Sequence, residues 1–230
     1  AKRKVVVASF SSHIHRIQQV CDAAVEAKRQ VAVTGRSMLT NTRIAQELGY
    51  LNVPEGLIVD AFEINDIPPH KLVILCTGSQ GEPLSALARM SVGEHRTVSI
   101  ERGDTVIISA TPVPGNEKSV TRVINQLSKI GADVYDKSRG LVHVSGHAGA
   151  EELKLVLRMV APKHFMPVHG ETVHLMAHAR LAEKCGVDPK KIFIIDNGDT
   201  LTMQDHKVRR SEPVESGIVF VDGSSVGDIG

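Results

Sequence analysis

Over the first 130 residues, short runs of β-branched and apolar residues alternate with stretches in which apolar positions recur every three or four residues. That alternation is the pattern of βαβ units feeding a parallel sheet. Residues 4–10 (KVVVASF) read as a buried strand, followed by a helix that Ser11 or Ser12 can cap and in which Ile14, Ile17, Cys21, Ala24 and Val25 fall on one face. Residues 30–34 (QVAVT) give a second strand, and Gly35 turns it into a helix carrying Leu39, Ile44 and Leu48 that stops at Gly49. Residues 72–76 (LVILC) form the most apolar strand, and residues 105–109 (TVIIS) another. The loop 111–116 (TPVPGN) leads into a helix through Val120, Val123, Ile124 and Leu127, closed by Gly131. Short right-handed connections let these elements share one doubly wound, mostly parallel α/β sheet.

The pattern changes after Gly140. Residues 141–148 (LVHVSGHA) alternate polar and apolar side chains, and residues 151–160 read as a helix stopped by Pro162. Residues 164–168 (HFMPV) read as a strand whose internal proline sends it to an edge or an end. A helix over 174–185 closes at Gly186. Residues 192–195, 200–203 and 218–221 then read as strands joined by Asn-Gly and Asp-Gly turns, before a small polar tail from Gly223 to Gly230. The chain thus divides near residue 142 into an α/β part, residues 1–142, and a mixed α+β part, residues 143–230.

Composition excludes several classes. At 230 residues, 42% hydrophobic and 23% charged, the chain can bury a sizeable core and is neither fibrous nor disordered. Its 27 Lys and Arg against 26 Asp and Glu leave a net charge of +1 with no long run of one sign, which argues against a DNA-coating protein while allowing local basic patches. No stretch is long and apolar enough for a membrane span, and AKRKVVVASF lacks a signal peptide's apolar core, so the expectation is a cytoplasmic protein. Cys21, Cys76 and Cys185 are widely spaced in apolar contexts and read as buried thiols of a reducing compartment. With no Trp and 3% aromatic residues, base recognition chiefly by stacking is disfavoured. Histidine, at eleven, is the abundant functional type.

Three glycine turns stand at the ends of strands: Thr77-Gly78-Ser79-Gln80-Gly81-Glu82, Pro114-Gly115-Asn116-Glu117 and Ser145-Gly146-His147. Ligands of open α/β sheets gather at the carboxyl ends of strands, where free N–H groups and helix N-termini attract anions. A phosphate-bearing ligand is the natural inference, although each turn alone fits ordinary turn chemistry. None has Walker or dinucleotide spacing, which disfavours nucleotide-dependent phosphoryl transfer. His13 and His15 open a helix, where residues two apart diverge, so His15 reads as a solvated or capping residue instead of a metal ligand. His174 and His178 have the i, i+4 spacing of a metal pair, but Leu175 stands where a zincin has glutamate, and they read as a partly exposed helix face. His147, after Ser145-Gly146, and His169, before Gly170-Glu171, look delivered to one edge of a sheet, as ligands or acid–base groups must be. Spacing alone leaves open whether they share a site.

Taken in order, Ser9-Phe10-Ser11-Ser12-His13-Ile14-His15-Arg16, Thr77-Gly78-Ser79-Gln80-Gly81-Glu82-Pro83, Pro114-Gly115-Asn116-Glu117, His143-Val144-Ser145-Gly146-His147-Ala148 and Pro167-Val168-His169-Gly170-Glu171 resemble bacterial ribonuclease J. In these nucleases an α/β β-CASP domain is inserted into a metallo-β-lactamase fold. The resemblance implies a β-CASP domain over 1–142 and the C-terminal portion of the metallo-β-lactamase domain over 143–230. It implies that His147 contacts the scissile phosphate and assists catalysis, with Ser145 and Gly146 in the phosphate-holding turn, and that His169 ligates one of two zinc ions. His143 would support RNA binding, while Ser79 and Asn116, in the turns 77–82 and 115–117, would line the RNA groove. The implied substrate is RNA, 5′-monophosphorylated, cut from its 5′ end and internally in RNA processing and decay by a cytoplasmic homo-oligomer, a dimer or tetramer. The family's His-x-His-x-Asp-His cluster has no counterpart, since Ile17 and Gln18 stand where Asp and His should follow His13-Ile14-His15. Only His169 remains of the expected ligands, so the resemblance implies a fragment without the N-terminal metal-binding half, inactive alone. A non-catalytic phosphate- or partner-binding α/β module and an mRNA 3′-end-processing β-CASP endonuclease are the alternatives. The separation of His147 and His169 tests the first of these.

Overall fold

A computed structural model describes residues 1–60, 62–219, 221–222 and 225–226. The chain forms two compact units, Ala1–Ser145 and Gly146–Gly230.

The first unit is built on β1 (Val5–Ala8), β2 (Gln30–Thr34), β3 (Ile58–Val59), β4 (Leu72–Cys76), β5 (Thr105–Ile108) and β6 (Asp133–Tyr135). They form one parallel sheet in the order β3-β2-β4-β1-β5-β6. At its centre Ala8 pairs with Cys76 on one side and Ile108 on the other. Strands enclosed on both faces need no polar alternation, hence the unbroken apolar runs. Helices α1 (Ile14–Glu26) and α2 (Arg36–Glu47) pack on the face carrying Val7, Val33, Val73 and Leu75. Helices α3 (Ala86–Ser91) and α4 (Glu117–Ile130) cover the face carrying Val6, Ala8, Ile74 and Val106. At the amino edge the buried Asp104 carboxylate accepts from Lys4 Nζ at 2.6 Å, the Glu101 N–H at 2.7 Å and Arg3 Nε at 3.2 Å. Its charge is paired and its oxygens are satisfied, which a buried carboxylate requires.

Several expectations are corrected. His13, not Ser11 or Ser12, caps α1, its Nδ1 accepting from the Arg16 N–H at 3.2 Å. The helix expected around Leu39, Ile44 and Leu48 exists with its other side inward: Met38, Thr42 and Ala45 are buried, whereas Leu39 and Leu48 are 51% and 65% exposed. The small Thr42 and Ala45 let the helix approach the sheet closely, which its larger apolar residues could not. Val25 is likewise exposed, and the short strands β3 and β6 carried too little pattern to be seen.

In the second unit α5 (Ala150–Val160) and α6 (Thr172–Lys184) pack around Leu157, Ala182 and Val187, with Phe165, Leu181, Cys185 and Ile192 alongside. The strands expected over 164–168 and 192–195 reduce to one parallel bridge, Phe165 to Ile192. Pro167, which has no N–H to donate, limits any longer ladder. Residues 141–148 form no strand; the Val142 carbonyl accepts instead from Arg16 at 2.6 Å and from the Ser109 hydroxyl at 2.7 Å. Asn197-Gly198 forms the expected turn ahead of β7, with Gly198 at φ 92°, and the hairpin of β7 (Thr200–Gln204) and β8 (Lys207–Ser211) turns at Asp205 and His206, at φ 51° and 60°. Two positive φ angles are what a type I′ turn demands. Strands β9 (Val221–Asp222) and β10 (Ser225–Val226) pair antiparallel; of the strand expected over 218–221, Ile218 and Val219 are not in a strand, Val221 opens β9 and Phe220 lies outside the described residues. Gly223 of the expected Asp-Gly turn and most of the 223–230 tail lie outside the described residues.

Candidate functional site

The carboxyl ends of β4, β1 and β5, adjacent in the first unit's sheet, deliver three loops to one edge. With α1 on one face and α3 and α4 on the other, this is the point at which such folds take their ligands, in the crevice outside the strand ends. His13 contributes its cap to α1, and the exposed His15 meets it edge to face at 6.4 Å. Ser79 is 2% exposed, and Asn116 turns its amide nitrogen toward Gln80 Oε1 at 3.4 Å. Gln80, absent from the candidate residues read from sequence, is the buried polar centre of this edge. Its signal was an amide between Ser79 and Gly81 in a turn that should be solvent-facing.

Two histidines of this unit have pKa values below the usual one. His95 Nδ1 accepts from the N–H groups of Thr97 and Val98 at 3.4 and 3.2 Å, which puts its proton on Nε2, 3.1 Å from Thr34 Oγ1. Burial, with Arg89 nearby, lowers its pKa. His143 is partly buried, and burial, Arg16 and His13 together lower its pKa. Burial pushes the Cys21 thiol up to about 11 and the Cys76 thiol up to about 12, which makes both poorly reactive, whereas Cys185, read as buried, is partly exposed.

His143 and Ser145 belong to the first unit, and Gly146, His147 and His169 to the second. No sheet edge delivers the two histidines. His147 stands in the irregular segment before α5 and His169 in the bend before α6. Their rings nevertheless adjoin, with centroids 5.7 Å apart and planes within 9°. His169 adopts φ 66°, a left-handed conformation in which histidine is enriched among non-glycine residues. Gly170 follows because a Cβ there would lie 3.0 Å from the Cβ of His174. His174 Nδ1 accepts the Glu171 N–H at 3.1 Å and so anchors this bend to α6. His178 packs edge-on against Phe165 at 4.9 Å. The i, i+4 pair therefore has structural work, and the bend that presents His169 is its product. Lone pairs of imidazole lie in the ring plane, so two stacked rings do not aim at one ion.

Residues 2–127 match the family described as "Ribonuclease J, beta-CASP domain", and residues 133–194 match "Zn-dependent metallo-hydrolase RNA specificity domain". Among curated proteins the chain is similar to the ribonuclease J of Mycolicibacterium smegmatis, 46% identical over 230 residues, covering 100% of this chain and 41% of the relative. It is similar to ribonuclease J 1 of Streptococcus pyogenes, 43% identical over 227 residues, covering 99% and 40%. It is also similar to the Thermus thermophilus ribonuclease J, 46% identical over 229 residues, covering 100% and 40%. The chain thus spans about two fifths of the length of these relatives. The second description implies zinc. Among the described residues no three His, Cys, Asp or Glu gather closely enough to hold a metal ion, whereas a zinc site takes three or four protein ligands. The residues present do not fit a complete zinc site.

Proposed function

Since the chain belongs to the ribonuclease J β-CASP family, we propose that it is the RNA-binding and partial active-site portion of a metal-dependent ribonuclease that cuts RNA from the 5′ end and internally. The observation that carries this reading is the adjacency of the His147 and His169 rings at 5.7 Å. Two exposed histidines from separate bends, one held at positive φ, are thereby brought side by side. In this reading His169 is the chain's one ligand to the two zinc ions of a complete enzyme. His147 faces the scissile phosphate, where an imidazole can donate to a phosphoryl oxygen or pass a proton to the leaving oxygen. Ser145 and Gly146 lend the hydroxyl and N–H groups of an anion-holding turn, and His143 continues it. Ser79 and Asn116 belong to the groove walls at the carboxyl edge of the first unit. The substrate is RNA carrying a 5′-monophosphate, and the complete enzyme works in the cytoplasm as a dimer or tetramer. A non-catalytic binding module gives no reason for the two rings to adjoin.

Two assays test this. The chain alone, given 5′-monophosphorylated RNA with zinc or manganese, leaves it uncut; cleavage abolished by His169→Ala would overturn the dependence on further ligands. In a chimera where this chain replaces the matching segment of the Thermus thermophilus enzyme, His147→Ala lowers kcat by about 10²–10⁴-fold with little change in KM. Unchanged turnover would remove His147 from the chemistry.

A further inference from the structure

A buried amide with three hydrogen bonds is unusual in a surface turn, and Gln80 is one, at 4% exposure. Its Nε2 donates to the Thr111 carbonyl at 3.0 Å, and its Oε1 accepts the Val113 N–H at 2.7 Å and Asn116 Nδ2 at 3.4 Å. All three partners lie in the loop that follows β5, two strands away from β4 across β1. Pro112 and Pro114 have no N–H, so Val113 supplies the single backbone donor over 112–114, and it is used on Gln80. Gly81 completes the join. A Cβ there would lie 2.5 Å from the Ser119 carbonyl carbon and 2.7 Å from the Val120 nitrogen, and its φ is 73°. Only glycine lets the turn after β4 rest against the first turn of α4. The turns 77–82 and 111–117 therefore form one tethered body over the end of β1.

We propose that Gln80 is a positioning residue for RNA: through its side-chain amide it fixes the loop 111–116, and Asn116 with it, at the distance from the 77–82 turn that an RNA backbone in the crevice requires. The inference rests on the RNA-groove reading given above. The role needs a neutral group that donates on one side and accepts on the other. Glutamate keeps the acceptor for Val113 and loses the donor to Thr111, while methionine keeps the volume and loses all three bonds.

The test measures binding of a fluorescein-labelled, 5′-monophosphorylated single-stranded RNA by anisotropy, with melting and the exchange rate of the Val113 amide followed on the same samples. Gln80→Met weakens binding about tenfold and speeds Val113 exchange, while Tm moves by only a few degrees. Gln80→Glu falls between Gln80→Met and the unaltered chain. Gly81→Ala, which displaces the same turn and leaves the Gln80 side chain in place, also weakens binding. A lowered Tm with unchanged Kd for every variant makes Gln80 merely structural and overturns the proposal. Should Gln80→Met not fold, Gln80→Glu decides: an unchanged Kd overturns it, a weakened one with faster Val113 exchange supports it. An unaltered chain that binds no RNA overturns the RNA-groove reading and this inference together, an outcome distinct from variants that match a chain that binds.

Discussion

The two units bury their apolar residues to different degrees. In the first, helices cover both faces of the sheet, Ile74, Leu75 and Cys76 are fully enclosed, and even Gln80 and Ser109 at the carboxyl edge are inside and bonded. In the second, full burial reaches Leu157, Ala179, Ala182 and Val187, while Leu155, Val156, Met159 and Val160 of α5 and Val173 of α6 lie exposed. The consequence falls on the candidate site. The first unit's turns are set by a deep core and by Gln80, so their geometry belongs to the fold. His147 and His169 are set by local devices: a left-handed residue, a glycine without space for a side chain, and the His174 anchor.

The comparison breaks most readily at Leu157. Truncation of a buried leucine costs about 2–4 kcal/mol in general, and the second unit has few other fully buried residues to share the loss. Leu157→Ala therefore abolishes amide protection in α5 and α6 while β1 and β4 keep theirs. Ile74→Ala, of similar local cost, should lower the first unit's stability without collapsing it. If both variants lose protection uniformly across the chain, the units are not separately stable, and the contrast drawn from burial fails.

A smaller effect follows from pH, and it belongs to the first unit. Burial, with Arg89 nearby, holds the His95 pKa below the usual value, and its Nδ1 is occupied in accepting two backbone N–H groups. Above the unfolded value of about 6.5 this contribution is complete. As pH falls below it, the unfolded chain takes up the proton before the folded chain does, and stability declines down to the depressed folded pKa. His143 acts in the same direction. The first unit's Tm thus falls between pH 7.5 and 5.5, and His95→Gln flattens that slope; an equal slope in the variant would detach the effect from His95.

Much of the first unit was legible because its pattern is redundant. The strand over 72–76 has its observed bounds, and the helix through Val120, Val123 and Leu127 turns those residues inward as read. The α2 helix was legible and its inward face was not, since apolarity favours Leu39 and Leu48 while close approach to a sheet favours Thr42 and Ala45. Beyond residue 140 less was legible, because alternation over 141–148 promises a strand only if a neighbour exists to pair with it, and the runs 164–168 and 192–195 pair through a single bridge. At the candidate site the histidines stood out by type and by the glycines beside them. Gln80 stood out less, as an amide between Ser79 and Gly81, because its three bonds from one turn to another are tertiary facts that local pattern does not specify.

The smallest expected effect is the sharpest check on the contrast. Val156 and Val160 lie one turn apart on the outer face of α5, 57% and 66% exposed. Changing an exposed side chain away from packing contacts alters stability by no more than about 0.5 kcal/mol. Val156→Glu with Val160→Lys adds more than polarity. Glutamate four residues before lysine is the favourable order for a helix pair, and a cation in the last turn meets the negative end of the helix dipole. The double variant should therefore match or slightly exceed the parent in denaturant midpoint, while its binding of a hydrophobic dye falls. A loss above about 1 kcal/mol would mean that this face is packed in solution, since only burial makes such a substitution costly. The second unit would then own a larger core than its exposed residues indicate, and the contrast between the units would narrow to their turns.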